Sequence, residues 1–528
     1  MEFMPRIVPA TALLALGLAL TVTGARQPAF DLLIVGGRML DGSGNPWIRA
    51  DIGVRGGRIV AIGALEGGAA AKTIHARGRY VTPGFIDVHS HAREGLEGEL
   101  NHAEPLLAQG ITTAMLNPDG GGPVDLAPVR RTFETRGIGV NAALFVPHGS
   151  IRQQVLGMED RAPTASELAK MVDLVRAGMK AGGIGLSSGL YYAPGSYSRT
   201  EEVIAMARAA GEHGGVYSSH IRDEGDYSVG VVAAVEEVIR IAEEGQLPGV
   251  VSHMKALGVA SWGLSMASLM RIDQARARGI EVWADQYPYE ASGTSITGAL
   301  VPRWAQVGGE AALRKRATGS ERGRLREEVR GNIARRGGAA SLQIARFVPD
   351  PSIEGKTIAD LAKSSGESPE EVALDLLARG GAGLVSFNMS ERDIEQIMRQ
   401  PYTMTSTDGD LVPMGEGKPH PRAYGAFARK LRLYVRERGV IDLAFAIRSM
   451  THLPAMVFGL EDRGQLRIGA WADILVFDPA RVADRATYAD PHHLSEGIDT
   501  IVVNGVLTRD EGTFTRALPG KVVTPVRE

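Results

Sequence analysis

Val81-Thr-Pro-Gly-Phe-Ile-Asp-Val-His-Ser-His91 is an apolar run closed by two histidines one residue apart. In an extended strand alternate side chains share a face, so His89 and His91 point one way and Ser90 the other. Two imidazoles on one face, at the end of a buried strand, suit a metal ion. The setting strengthens that reading. Pro83-Gly84 punctuates the entry, Phe85-Ile86 has buried-strand chemistry, and the Asp87 carboxylate lies two residues before the first histidine. If the pair belongs to a metal centre, the rest of the chain has to supply further nitrogen or oxygen ligands.

Beyond this stretch, apolar strand-like runs alternate with helical patterns, which argues for βα units and a parallel sheet. Strands are expected at 84–91, 111–117, 139–146, 183–188, 216–221, 250–254, 280–287 and 402–407, and helices at 166–181, 200–212 and 229–244. Eight such strands fit an α/β fold of the (β/α)8, TIM-like barrel type. The interval 291–400, between strands seven and eight, is too long for one crossover. It carries a basic, Arg-rich helical stretch at 313–336 and then a helical stretch at 358–378, and reads as a subdomain inserted over the barrel mouth. No aromatics interleave its charge run, so the run reads as a solvated helix face and not as a nucleic-acid site.

Short alternating strands at 32–37, 50–54 and 58–63 are matched at the far end by 472–477 and 500–506. The two termini are therefore expected to build one small β-sandwich, from 26–82 and 465–528, with the barrel of 83–464 inserted between them. Residues 1–25 differ from the rest: Arg6 precedes an apolar stretch, and Thr23-Gly24-Ala25 offers a small-residue cleavage site. That anatomy implies an export signal, a periplasmic or secreted destination, and no stable membrane association once the signal is removed. The chain has no cysteine, which excludes disulfides and lipidation at a lipobox. Its formal net charge of −3 supplies no field steering it toward nucleic acid, so the expected partner is a small molecule.

Barrel active sites gather at the C-terminal strand ends, which is where polar groups should follow the apolar runs. Strand five ends Ser218-Ser-His-Ile-Arg, strand six Val251-Ser-His-Met-Lys, and strand eight Thr405-Ser-Thr-Asp-Gly. His220, His253 and Asp408 thus join His89 and His91 in a mixed nitrogen and oxygen set suited to zinc. Lys255, two residues after His253, is a candidate to face the same space. His148, after strand three in Val146-Pro-His-Gly, is a candidate for the pocket wall.

The opening run resembles the first strand of the amidohydrolase superfamily, in which a β domain split between the termini is common. Gly185-Leu-Ser-Ser-Gly-Leu-Tyr-Tyr-Ala-Pro-Gly-Ser-Tyr, His220-Ile-Arg-Asp-Glu-Gly, Ser252-His-Met-Lys, Tyr287-Pro-Tyr and His420-Pro-Arg-Ala-Tyr-Gly resemble its D-aminoacylase branch, the N-acyl-D-amino-acid deacylases. The resemblance implies that His220 and His253 are tightly held zinc ligands, that His89 and His91 serve a second, weaker site, and that Asp408 is a ligand and the proton-transfer group. It implies one or two divalent ions, and Arg222, Lys255, Arg422 and Tyr287 as partners of a substrate carboxylate. The family's cysteine after strand two is missing from Gly110-Ile-Thr-Thr-Ala-Met-Leu-Asn-Pro-Asp-Gly, and counting from Gly110 puts Asp119 at its place. A carboxylate is a harder ligand than a thiolate and shifts preference toward other divalent ions. A turn residue is the other reading of Asp119.

The implied reaction is metal-dependent hydrolysis of N-acyl-D-amino acids. A dipeptidase cutting L-Xaa-D-Xaa peptides needs the same carboxylate clamp and is the alternative. A cyclic-amide hydrolase of the hydantoinase type is disfavoured because strand four, Gly185-Leu-Ser-Ser-Gly, has no lysine to become a carbamate bridge. A metal-binding scaffold without activity is the reading from outside enzymology.

Overall fold

The computed structural model describes Met1 and residues 29–525; apart from Met1, the expected export signal lies outside them. No helix among the described residues is long and apolar enough to cross a membrane. Each of the eight apolar runs contains a strand: β1 (Phe85–Asp87), β2 (Ile111–Leu116), β3 (Asn141–Leu144, resumed after Phe145 as Val146–Pro147), β4 (Gly185–Gly189), β5 (Val216–His220), β6 (Gly249–Val251), β7 (Val282–Gln286) and β8 (Thr403–Thr405). All pair in parallel. One ladder runs β1-β2-β3; the other runs from Val146–Pro147 through β4, β5, β6 and β7 to β8. At the outer edges, Asp408 N donates to His89 O at 2.9 Å and His91 N to Gly409 O at 3.0 Å, so the end of β8 lies beside the end of β1.

The strands are buried throughout because helices cover them, as the crossovers of a parallel sheet require. Helix α1 (Ala165–Lys180) shows how the sequence specifies this layer. Thr164 and Glu167 form a reciprocal capping box, and Met171, Val175 and Met179, one turn apart, are its buried stripe. Helices α2 (Thr200–Gly211), α3 (Val231–Gly245) and α4 (Ser265–Ala277) repeat the pattern after β4, β5 and β6.

Two buried carboxylates tie the strand ends together. Asp87 accepts from Thr407 N at 2.9 Å and Thr407 Oγ1 at 2.6 Å, joining β1 to the segment after β8. Burial drives this carboxyl up to about 6 even against those hydrogen bonds. Asp285 accepts from His253 N at 2.9 Å and Ser406 Oγ at 2.6 Å, joining β7 to the ends of β6 and β8.

The long interval before β8 has its own apolar cluster, which spans residues from Ile296 to Leu384. Each helix expected there is two. The first divides into α5 (Gly309–Thr318) and α6 (Arg322–Arg335) around Gly319, the second into α7 (Ile358–Ser365) and α8 (Pro369–Ala378). Gly366 ends α7 in the left-handed region at φ 76°, and Pro369 then starts the next helix. A three-stranded antiparallel sheet, Ala291–Ser295, Gly383–Phe387 and Leu342–Arg346, completes the insertion and was not legible in the sequence. Helix α9 (Glu391–Met398) instead sends Ile394, Ile397 and Met398 into the main core.

The terminal strands share one nine-stranded sheet, where two packed sheets were expected. Ile474–Phe477 pairs antiparallel with Tyr80–Pro83 and so joins the two ends of the chain. An irregularity between Ile34 and Gly37 bends the long strand Phe30–Met39, and the sheet encloses its own cluster, with Leu32, Ile52, Val81 and Ile474 at its centre.

One core residue gives a direct stability prediction. Lys430, after helix α10 (Arg422–Arg429), is buried and donates to Thr405 Oγ1 at 2.8 Å and Ser449 Oγ at 2.9 Å, with no carboxylate partner. Burial lowers its ammonium to about 7 from 10.5. The unfolded chain therefore holds the extra proton between those values, so stability rises with pH through that window and the full cost is present below it. Lys430→Met should stabilise the protein by a few kcal/mol at pH 6, and by much less at pH 10. Thr405 and Ser449 keep each other as partners at 3.3 Å. Urea unfolding at the two pH values checks this; an equal change at both would contradict it.

Candidate metal centre and substrate cavity

The chemistry-bearing side chains converge where the parallel strands end. β1 stops at Asp87, so strand alternation does not itself aim the first two histidines: His89 lies on the bend that follows, and His91 just past it in an isolated parallel bridge with Asp410. Their Nε2 atoms nevertheless meet one carboxylate: His89 Nε2 is 3.3 Å from Asp119 Oδ1, and His91 Nε2 is 3.4 Å from Asp119 Oδ2. From β5 and β6, His220 Nδ1 and His253 Nε2 approach the same Oδ1 at 3.7 and 3.5 Å. Asp119 is thus the hub of four imidazoles and not a turn residue alone.

Asp408 closes the cluster from β8, with Oδ1 at 3.2 Å from His91 Nε2 and 3.6 Å from His89 Nε2. Donor atoms of His89, Asp119, His253 and Asp408 all lie within 4.8 Å of one another.

Backbone strain is concentrated here. Asp119, His253 and Asp408 have φ of 56°, 34° and 48°, in the left-handed region that non-glycine residues rarely adopt. Each costs about 1–3 kcal/mol and persists because neighbours fix it. For Asp119 the neighbour is Ser187 on β4, whose Oγ donates to Asn117 O at 2.7 Å and accepts from Gly120 N at 3.2 Å. For His253 it is the Asp285 carboxylate on its amide.

The donor set fits a divalent cation. Both ring nitrogens of His89 and His220, and Asp119 Oδ1, are buried without an aligned hydrogen-bond partner. Buried polar atoms are rarely left in that state, and orphans of both kinds that converge on one volume describe a ligand shell. Burial opposes ionisation of Asp119, but His89, His220 and His253 outweigh it and hold the carboxyl well below its ordinary range. Asp408 follows the same pattern: burial raises it, and Arg422 and the histidines bring it well below normal.

A buried carboxylate the sequence reading passed over stands behind two of the histidines. Glu224 Oε1 accepts from Lys255 Nζ and lies 3.1 Å from His253 Nδ1, while Oε2 lies 3.7 Å from His220 Nε2. It touches the ring nitrogens turned away from Asp119, the position from which a carboxylate orients a metal-binding imidazole. Its only sequence signal is its place four residues after His220.

The cluster opens on a cavity of about 670 Å³ lined by, among others, Asp119, Lys255, Tyr287, Arg336, Asp408 and Arg422. Arg422 Nη1 is 2.6 Å from Asp408 Oδ2, an ion pair without hydrogen-bond alignment. The Tyr287 ring sits between two cations, 5.6 Å from Lys255 Nζ and 4.7 Å from Arg422 Cζ. Its hydroxyl is turned to Met389 Sδ, so it offers the cations a ring face.

Two expected pocket residues are elsewhere. Arg222 is clamped by Glu237 of α3, with Nε and Nη2 at 2.8 and 2.7 Å, and does not line the cavity. β5 has ended at His220, so two-residue alternation no longer aims Arg222 inward. His148 is fully buried at the start of helix His148–Leu156, and its Nε2 pairs with Glu202 at 3.2 Å, in a cluster completed by Arg152. It packs that helix against α2.

With this geometry in place, the chain's likeness to known proteins is informative. Residues 136–509 match the amidohydrolase family. The D-aminoacylase of Alcaligenes xylosoxydans xylosoxydans is 35% identical over 529 aligned residues, covering 94% of this chain and 98% of that one. An N-acyl-D-glutamate deacylase from the same organism is 35% identical, covering 91% and 93%. The solved structure of N-acyl-D-glutamate deacylase from Bordetella bronchiseptica, complexed with zinc and a phosphonate mimic of the tetrahedral intermediate, is 34% identical, with a TM-score of 0.81 over 93% of this chain and 99% of that one. Likeness of this extent in sequence and structure shows that the chain belongs to the amidohydrolase family, in its D-aminoacylase branch.

Proposed function

We propose that the protein hydrolyses the amide bond of N-acyl-D-amino acids, giving a carboxylic acid and a free D-amino acid. The observation that carries this reading is the juxtaposition, on the wall of one cavity, of five residues of the ligand cluster, with His89 buried behind them, and a cationic group, Lys255 and Arg422 about Tyr287. Metal and carboxylate recognition stand side by side, as an amide whose nitrogen is one carbon atom away from a carboxylate requires. The same reading takes β1–β8 as one closed (β/α)8 barrel, supported by the hydrogen bonds between the ends of β8 and β1.

His89, His91, His220, His253, Asp119 and Asp408 would hold one or two zinc ions. Bound there, the metal supplies Lewis acidity at the scissile carbonyl. Lys255 and Arg422 bind the substrate's carboxylate and fix the amide beside Asp408. Asp408 Oδ1 accepts the proton of the attacking water and delivers it to the departing nitrogen. Glu224 holds Lys255 and keeps the rings of His220 and His253 aimed at Asp119.

Amine release from paired N-acetyl-D- and N-acetyl-L-amino acids, alongside L-Xaa-D-Xaa dipeptides, tests the assignment. Release from the N-acetyl-D compounds in preference to both other classes is expected. Release from dipeptides alone would move the activity to peptide turnover, and preference for the L-compounds would overturn the stereochemical claim.

A further inference from the structure

Among the described residues four arginines are buried: Arg152, Arg336, Arg422 and Arg463. Three face a carboxylate, Arg152 with Glu202, Arg422 with Asp408 and Arg463 with Asp473. Arg336, only 2% exposed, faces none. Its Nε, Nη1 and Nη2 donate to Ala299 O, Ser386 Oγ and Tyr191 OH, all neutral acceptors at 3.2 Å.

A buried charge without a counter-charge is costly, and the usual escape is to lose the charge. Lys430 takes that route, with an ammonium lowered to about 7. A guanidinium has no such escape. Arg336 follows the last residue of α6, so the negative end of that helix offsets part of the cost, but a helix end is no substitute for an ion partner.

Position supplies what burial alone does not. Arg336 lines the substrate cavity, and every other arginine or lysine on that lining has a carboxylate: Arg93 with Glu97, Lys255 with Glu224, Arg346 with Glu416, Arg422 with Asp408. A continuous row of contacts crosses the site. Lys255 Nζ is 2.8 Å from His253 Nδ1, the His253 and His220 rings are 4.5 Å apart, the His220 and Tyr191 rings 5.4 Å, and Tyr191 accepts from Arg336. The metal cluster therefore has a cation at each end of its wall: Lys255, with Arg422, on one side and Arg336 on the other.

We propose that Arg336 binds a second anionic group of the substrate, so that the preferred substrates are N-acyl-D-amino acids carrying a carboxylate besides the α-carboxylate. This rests on the deacylase reading and specifies its substrate class. The second carboxylate can belong to the amino-acid side chain or to the far end of the acyl arm; the chemistry at Arg336 is the same.

The test compares kcat/KM for N-acetyl-D-glutamate against N-acetyl-D-glutamine, and for N-succinyl-D-leucine against N-butyryl-D-leucine, in the wild type, Arg336→Met and Arg336→Lys. The wild type should prefer the acid of at least one pair by about tenfold or more, and the pair that shows it identifies the source. Arg336→Met should abolish that preference while the neutral substrates stay within about threefold of wild type, and Arg336→Lys should keep part of it. Wild-type indifference within both pairs would overturn the proposal and leave the deacylase reading standing. So would an equal loss on acid and neutral substrates in both variants. Release from no N-acyl-D substrate would overturn both readings.

Discussion

Asp408→Asn is expected to lower kcat by about three to four orders of magnitude while KM changes only severalfold. The amide keeps the size of the carboxylate and its backbone bond, Asp408 N to His89 O, but cannot carry a proton from water to the leaving nitrogen. Five other groups remain to hold metal, and Lys255 remains to hold the substrate's carboxylate. Arg422 loses its ion pair with Oδ2, which is the source of the small change in KM. Metal content measured on the same preparation separates loss of the proton carrier from loss of a ligand. A variant with full metal content and undiminished kcat would remove Asp408 from the reaction.

The parts of the site legible in the sequence are those fixed by strand ends. His89, His91, His220, His253 and Asp408 follow four apolar runs, the first run supplying two of them, and a parallel sheet with covered faces delivers all such positions to one end. Asp119 stands, counting from Gly110, where the family that the sequence resembles carries a cysteine, and it is the carboxylate on which the four rings meet. What the sequence hid depends on where the chain turns once a strand has stopped. Arg222 stands two residues after His220, the spacing that would share its face, yet the turn sends it to Glu237. Glu224, two residues further, returns to the cluster with no periodicity to announce it. His148 looked like a strand-end residue but opens a helix, and its partner Glu202 is 54 residues away. Arg336 lies in an insertion whose path follows its own core, so no pattern in the parallel strands could place it on the cavity wall.

Removal of metal is expected to reduce hydrolysis to background. Two carboxylates and four imidazoles share the centre, and both Asp119 and Asp408 are held well below the ordinary carboxylate range by the cations and imidazoles around them. Without a metal ion the histidines supply the counter-charge: burial disfavours the charged ring of His91, but Asp119 and Asp408 overcome it and raise its affinity for a proton well above normal. Metal binding must displace that proton, so affinity for zinc should fall as pH falls. The metal-free protein should remain folded, because the apolar core lies outside the cluster and the struts from Asp87 and Asp285 hold Thr407, Ser406 and the backbone amide of His253, none of which needs a metal.

The measurement that bears most directly on the account is titration of zinc into chelator-treated, folded protein while following amine release from an N-acetyl-D-amino acid. The account predicts no release at zero metal and a rise that saturates at one or two ions per chain. Full release from metal-free protein, or none at any metal loading across the D-series, would contradict it.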